Sequence, residues 1–199
     1  MVTLVIGGAR SGKSEFAEQF ASTRRNNRLF YVATLRPAGD RENLERIGRH
    51  QTIRAARSFE TVELYTPDDL DHWCNELNSE GNAVVLLDCL GVMLSQGKYV
   101  ESDGGQWVEL ENETVECAVM SALGKLARKT EDLIIVAPDI FKAKAPDPST
   151  DRYMRLLGSV LQSIVEILDS SVVEVVAGIP VIRRDCTGAL NSFAERIGS

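Results

Sequence analysis

Short apolar runs alternate with longer amphipathic stretches along the whole chain. Val2–Ile6 read as a short buried strand, and Ser14–Ala21 as the helix that follows it. Leu29–Ala33 predict a second strand ending at Thr34. A polar stretch, Leu35–Asn43, leads into a helix over about Leu44–Arg57, and Phe59–Leu64 alternate as a strand does. Thr66-Pro67-Asp68-Asp69 has the form of an N-cap with proline in the first turn, opening a helix through Leu77. Ala83–Leu87 form a continuous apolar strand ending in Asp88. Gly97–Gly105 reads as a Gly-rich, charged, mobile loop. Trp107–Lys129 carry apolar residues at helical spacing. Leu133–Ala137 predict a strand, Asp151–Leu168 a helix and Val172–Ala177 a further strand. Val181–Ile182, after Pro180, predict a separate edge strand, and Asp185–Ser199 a short tail helix or frayed end.

Strands alternating with helices imply an α/β domain, a mostly parallel sheet with helices on both faces. The length of 199 residues suits one domain over the whole of 1–199. In open sheets of this kind ligands lie outside the carboxyl ends of the strands. That rule gathers Gly7–Ser14, Thr34–Arg36, Asp88–Gly91 and Pro138–Lys144 at one edge.

One of those segments has a specific chemistry. Gly7-Gly8-Ala9-Arg10-Ser11-Gly12-Lys13-Ser14 fits G-x-x-x-x-G-K-[ST] between a strand and a helix. In that setting backbone N–H groups converge on phosphate oxygens. Gly7 and Gly12 supply turn conformations, Lys13 reaches the outer phosphates, and the Ser14 hydroxyl can hold Mg²⁺. A Gly-rich segment can be a plain turn, but the flanking strand and helix favour nucleotide phosphate. Asp88, at the end of Val84-Val85-Leu86-Leu87, either caps a turn or holds Mg²⁺ and accepts a proton from an attacking hydroxyl. The phosphate loop favours the second role.

Composition narrows the classes. A net charge of −7 argues against broad nucleic-acid binding. No apolar run approaches a membrane span, and no secretory signal is visible at the N-terminus. Cys74, Cys89, Cys117 and Cys186 are far apart, which reads as buried free thiols in a reducing cytoplasm rather than a zinc site.

Arg46, His50 and Arg54 are spaced to share one helical face, with Arg49 and Arg57 close by. Such a ridge is commonly a solvated face, yet it carries one of only two histidines. Positive neighbours lower an imidazole pKa and keep its nitrogen free to attack. The arginines would also stabilise charge growing on a phosphate oxygen. The combination suits covalent nucleotidyl transfer to His50. His72, beside Trp73, reads as an ordinary half-buried histidine.

These residues resemble the adenosylcobinamide kinase / adenosylcobinamide-phosphate guanylyltransferase family. Gly7–Ser14 is similar to its phosphate loop letter for letter, and Tyr31-Val32-Ala33-Thr34 to its second strand. Arg46-Ile47-x-x-His50-x-x-x-Arg54, continued by Thr61-x-Glu63, resembles the segment whose histidine is guanylylated. Asp88-Cys89-Leu90 with Leu94-Ser95 is similar to the acidic strand end and next helix. The resemblance implies a RecA-like P-loop NTPase core assembled as a homotrimer. It implies two steps of cobalamin nucleotide-loop assembly: GTP or ATP phosphorylates adenosylcobinamide, then GTP guanylylates His50 and GMP passes to adenosylcobinamide phosphate. Lys13 and Ser14 would bind triphosphate and Mg²⁺, and Asp88 would share the metal. Thr34, Arg54, Glu63 and Asp88 would line the guanine nucleotide site. The chain departs from the family where Asn-Glu-Val-Gly is usual and Pro138-Asp139-Ile140-Phe141 stands instead. Two alternatives stay open: a GTP-binding member with another acceptor, and a non-catalytic nucleotide-binding regulator.

Overall fold

Val84, Val85, Leu86 and Leu87 are all fully buried, as a strand must be when both faces of its sheet are covered. A computed structural model describes residues 1–24, 28–36, 58–77, 82–102, 105–142 and 144–197. The expected helix over Leu44–Arg57, with Arg46, His50 and Arg54, lies outside the described residues. Among those described, the chain runs β1 (Val2–Gly7), α1 (Lys13–Ala21), β2 (Arg28–Ala33), β3 (Phe59–Glu63), α2 (Pro67–Glu76), β4 (Ala83–Asp88) and α3 (Leu90–Gly97). It continues through β5 (Tyr99–Glu101), β6 (Trp107–Glu109), α4 (Asn112–Lys129), β7 (Asp132–Pro138), α5 (Pro148–Ile167), β8 (Ser171–Val176), β9 (Ile179–Arg184) and α6 (Ala189–Ile197).

Seven strands form one sheet in the order β3-β2-β4-β7-β1-β8-β9. All neighbours are parallel except β8 and β9, which form an antiparallel hairpin. Because successive side chains point to opposite faces, each apolar run feeds two cores. Val85, Leu87, Leu133 and Ile135 join Leu70, Leu94, Leu123 and Leu157 from α2 to α5 on one face. Val84, Leu86, Ile134 and Val136 meet Phe16 and Phe20 of α1 and Phe193 of α6 on the other. The Phe20 and Phe193 rings meet edge-on at 5.2 Å.

Local signals set several boundaries. Thr66 caps α2 in a full capping box: Asp69 N–H donates to Thr66 Oγ1 at 3.2 Å, and Thr66 N–H to Asp69 Oδ2 at 2.9 Å. Asp147, ahead of Pro148, caps the next long helix with its side chain, Thr150 N–H donating to Asp147 Oδ1 at 2.8 Å. The helix expected from Asp151 therefore starts at Pro148.

Four expectations are corrected. Trp107–Lys129 is not one helix, and Gly97–Gly105 is not simply a loop: Tyr99–Glu101 pairs with Trp107–Glu109 as a hairpin. The buried Lys98 ammonium holds its base, 2.8 Å from Glu109, and Leu110 N–H donates to Lys98 O at 2.7 Å. Cys74 is buried, but Cys117 and Cys186 are exposed. His72 is exposed too, its side chain 79% accessible and 3.2 Å from Glu76.

Candidate active site

The strand ends bring the predicted segments into one row. Register pairs Gly7 with Pro138, Asp88 with Val136, Asp88 with Ala33, and Ala33 with Glu63. The phosphate loop, Asp88, Thr34 and Glu63 thus share the carboxyl edge, as expected of an open parallel sheet.

Between β1 and α1 the loop Gly8–Gly12 turns through two left-handed residues, Arg10 at φ 57° and Gly12 at φ 90°. Its contacts explain two glycines. A Cβ on Gly7 would lie 2.5 Å from Ser11 Oγ and 2.6 Å from Val175 O, and one on Gly12 would meet Gly178 Cα at 3.3 Å. Ala9 and Arg10 are exposed, while Gly8, Lys13 and Ser14 are half-buried. Lys13 Nζ donates to Gly8 O at 3.1 Å, which folds the ammonium over the loop. The Ser11 hydroxyl is buried without a partner among the described residues, a donor in reserve inside the loop. Asp139 N–H donates to Gly7 O at 2.9 Å, and Gly178 N–H to Ser11 O at 2.8 Å, so neighbouring strand ends brace the loop on both sides.

At the end of β4, Tyr31 Oη donates to Asp88 Oδ2 at 2.5 Å. Thr34 is fully buried. Its hydroxyl donates to Cys89 O at 3.0 Å and accepts from Cys89 N–H at 2.8 Å. Its carbonyl accepts from Gln96 Nε2 at 2.6 Å. Thr34 is therefore a clamp on the turn after Asp88, with its side chain turned inward. Burial pushes the Cys89 thiol pKa up, and the neighbouring Asp88 charge adds to the effect.

Glu63 is exposed at the end of β3, and Tyr65 Oη donates to its Oε2 at 2.6 Å. That bond, with partial burial, pushes the Tyr65 pKa up to about 12. The Arg36 guanidinium lies over the Tyr65 ring at 5.1 Å. Ser14 and Asp88 are hard oxygen donors of the kind Mg²⁺ takes alongside water and substrate phosphates, so the pair suits that ion. Among the described residues no group of three or more His, Cys, Asp or Glu side chains could hold a metal by itself.

Tyr31, Tyr65, Gln96 and the pair Lys142–Glu174 were not singled out from sequence. Tyr31 and Arg36 flank Thr34 in the chain, which is a usable local signal. Tyr65 lies two positions from its partner Glu63, whereas Gln96 and Glu174 reach the site through partners distant in sequence, Thr34 and Lys142. His50 and Arg54 lie outside the described residues.

The fold resembles that of the flagellar accessory protein FlaH from Methanocaldococcus jannaschii, with a TM-score of 0.50 at 11% identity, over 92% of this chain and 77% of that one. At that identity the likeness concerns the fold alone, an α/β arrangement with a mostly parallel sheet. The bifunctional adenosylcobalamin biosynthesis protein CobU of Escherichia coli is 27% identical over 186 residues, spanning 91% of this chain and 98% of its own. The corresponding CobP of Pseudomonas aeruginosa is 33% identical over 184 residues, 91% and 96% of the two chains. Residues 3–182 match the family described as cobinamide kinase / cobinamide phosphate guanyltransferase. With its phosphate loop, Asp88 and Glu63 on one edge of a sheet spanned by that match, the chain belongs to this family.

Proposed function

We propose that the chain performs both transfers of its family on one phosphate loop, through a GMP–His50 intermediate. The reading rests on one observation above the rest: the in-register row of strand ends that aligns Gly7, Asp88, Ala33 and Glu63. In the kinase step the aminopropanol hydroxyl of adenosylcobinamide attacks the γ-phosphorus of ATP or GTP. The bond to the β-phosphate oxygen breaks, and Asp88 takes the hydroxyl proton. In the second step the His50 imidazole attacks the α-phosphorus of GTP and pyrophosphate leaves. A phosphate oxygen of adenosylcobinamide phosphate then displaces the imidazole, giving adenosylcobinamide-GDP.

In both steps the loop N–H groups and Lys13 bind phosphate oxygens, and Ser14 and Asp88 would hold Mg²⁺, which supplies charge neutralisation between phosphates. Glu63 and Arg54 face the guanine nucleotide, and Thr34 acts by fixing the turn after Asp88. The protein works as a homotrimer in the cytoplasm in this reading. Four unpaired cysteines suit a reducing compartment, and Trp107 and Val108, 64% and 47% exposed on the β5–β6 hairpin, offer apolar area to a neighbour. Sedimentation of the purified chain tests the trimer.

The decisive experiment is intact mass spectrometry after incubation with GTP and Mg²⁺. Wild-type chain gains one GMP at His50, and His50→Ala gains none; an unmodified wild type overturns the reading. A second reading, in which another hydroxyl or phosphate compound is the acceptor, is favoured by the altered stretch: its carboxylate, Asp139, is held by Lys142 at 2.9 Å. Turnover with adenosylcobinamide against a panel of acceptors separates the two.

A further inference from the structure

The strand order β4-β7-β1 puts the end of β7 between the two groups that the kinase step uses. Asp88, which takes the hydroxyl proton, ends β4, and the phosphate loop follows β1. An acceptor hydroxyl aligned on the γ-phosphorus therefore comes in over Pro138 and the residues after it. These are the residues in which the chain departs from its family, with Pro138-Asp139-Ile140-Phe141 where Asn-Glu-Val-Gly is usual. At the fourth position a phenyl ring replaces a glycine.

Three observations give that ring a role. First, its segment is fastened to the loop. Asp139 N–H donates to Gly7 O at 2.9 Å, and Phe141, two residues on, is within about 7 Å of Asp139 along the chain. Second, the turn that carries the ring is held. Phe141 N–H donates to Asp139 Oδ1 at 3.3 Å, and Lys142 Nζ lies 2.9 Å from Asp139 Oδ2 and 3.3 Å from Glu174 Oε1 on β8. Third, the ring is partly backed and partly bare. A Cβ on Gly158 of α5 would lie 3.5 Å from Phe141 Cε1 and 3.8 Å from Cζ, yet Phe141 remains 46% exposed. A single exposed apolar side chain needs no explanation by itself. This one stands beside the path of the acceptor, on a turn ordered before any acceptor arrives, which lowers the cost of binding.

A bare ring at an open edge favours an acceptor with a wide apolar face. A small hydroxyl compound that reaches the γ-phosphorus leaves the ring in water. A macrocycle with its hydroxyl on a side arm covers the ring while the arm reaches between Asp88 and the loop. We propose that Phe141 is a specificity-determining residue for the acceptor, a platform on which the apolar face of the corrinoid packs while its aminopropanol arm enters the site. The inference rests on the two-transfer reading for the identity of the acceptor. It assigns the departure from the family to a different way of holding the corrinoid, not to its loss.

The test compares the full-length wild type with Phe141→Ala and Phe141→Trp, in kinase turnover and in binding of adenosylcobinamide. Phe141→Ala raises the KM for adenosylcobinamide roughly tenfold, the scale of uncovering half a phenyl ring and losing its packing. Its kcat at saturating acceptor changes less than about twofold, the signature of lost binding rather than lost chemistry. Phe141→Trp keeps an aromatic platform and brings the KM back to within about threefold of the wild type. Equilibrium dialysis, read by the visible absorbance of adenosylcobinamide, shows the same order of affinities without turnover. Equal KM values in wild type and Phe141→Ala overturn the proposal, as does a lower kcat at unchanged KM. So does a Phe141→Trp no better than Phe141→Ala, or a wild type that binds no adenosylcobinamide. A wild type that forms no GMP adduct from GTP, while Phe141→Ala loses corrinoid affinity, keeps the platform and removes the guanylyl step. A wild type that forms the adduct, while Phe141→Ala binds the corrinoid undiminished, does the reverse.

Discussion

The two flanks of the phosphate loop are built by different means. On the β2–β3–β4 side, polar side chains hold one another: Tyr31 to Asp88, Thr34 to Cys89, Gln96 to Thr34, Tyr65 to Glu63. On the β8–β9 side the loop is held by backbone, through the Gly178 N–H bond and the close approach of Gly7 to Val175 O and Gly12 to Gly178. One flank is positioned by directed hydrogen bonds, whose loss leaves buried groups unpaired. The other is positioned by shape, which fails only when atoms are added. Deletions should therefore be felt most on the first side and insertions on the second.

Lys13 belongs to both flanks, so its removal has the largest effect. Lys13→Ala is expected to lower kinase turnover and GMP adduct formation together, each by about 10²–10³-fold, the scale of losing one donor to developing charge. Loss of only one activity would mean that the two transfers do not share the loop. Next in size is the insertion test. Gly7→Ala puts a methyl against Val175 O, a backbone atom with no rotamer to yield, and costs about 1–3 kcal/mol. Gly8→Ala meets nothing within 4 Å and should melt as the wild type does. Calorimetry of the pair reads the difference at roughly 2–4 °C per kcal/mol for a chain of this size.

What could be read from sequence follows the same division. The strand–loop–helix pattern was legible because its chemistry lies in backbone conformation and fixed spacing, and Asp88 was legible because it ends an apolar run beside that loop. The β4 and β7 cores were equally plain, since continuous apolar runs of that length fit buried parallel strands. Gln96 was not legible as a site residue, because Thr34 is 62 positions away; Tyr31 lies beside Thr34 in the chain, but its bond to Asp88, 57 positions on, was not. Trp107-Val108-Glu109 is too short to carry a period of its own and continues the helical spacing of the residues after it, so only its pairing with Tyr99–Glu101 marks it as a strand. Asp147-Pro148 carries the same capping signal as Thr66-Pro67, so the start of α5 at Pro148 is a local property of the sequence.

The deletion test comes third. Thr34→Val keeps the volume but leaves the Cys89 N–H without its acceptor, and Thr34 is fully buried. Leaving a buried donor unpaired costs about 1–3 kcal/mol, so the midpoint of urea unfolding should fall with an unchanged slope. Thr34→Ser retains the hydroxyl and loses one methyl, for about 0.5–1.5 kcal/mol. If the two variants are equally stable, the clamp is a matter of packing, and the contrast between the flanks weakens.

The smallest effect concerns the outer end of the polar flank. Tyr65 titrates near 12 because Glu63 accepts its phenolic proton in a hydrogen bond, with burial second. For a group whose folded pKa is raised, the stabilisation is fully present below the unfolded value of about 10 and is lost as pH rises through the folded value. Tyr65 is half-buried, so solvent screening keeps the contribution to stability small, and the titration itself is the better readout. A difference titration of phenolate absorbance between the wild type and Tyr65→Phe should show a midpoint near 12. Glu63→Gln removes the carboxylate and should bring that midpoint back toward about 10. A wild-type midpoint already near about 10 would mean that Glu63 is not held in solution, leaving the nucleotide flank pre-set only as far out as Thr34.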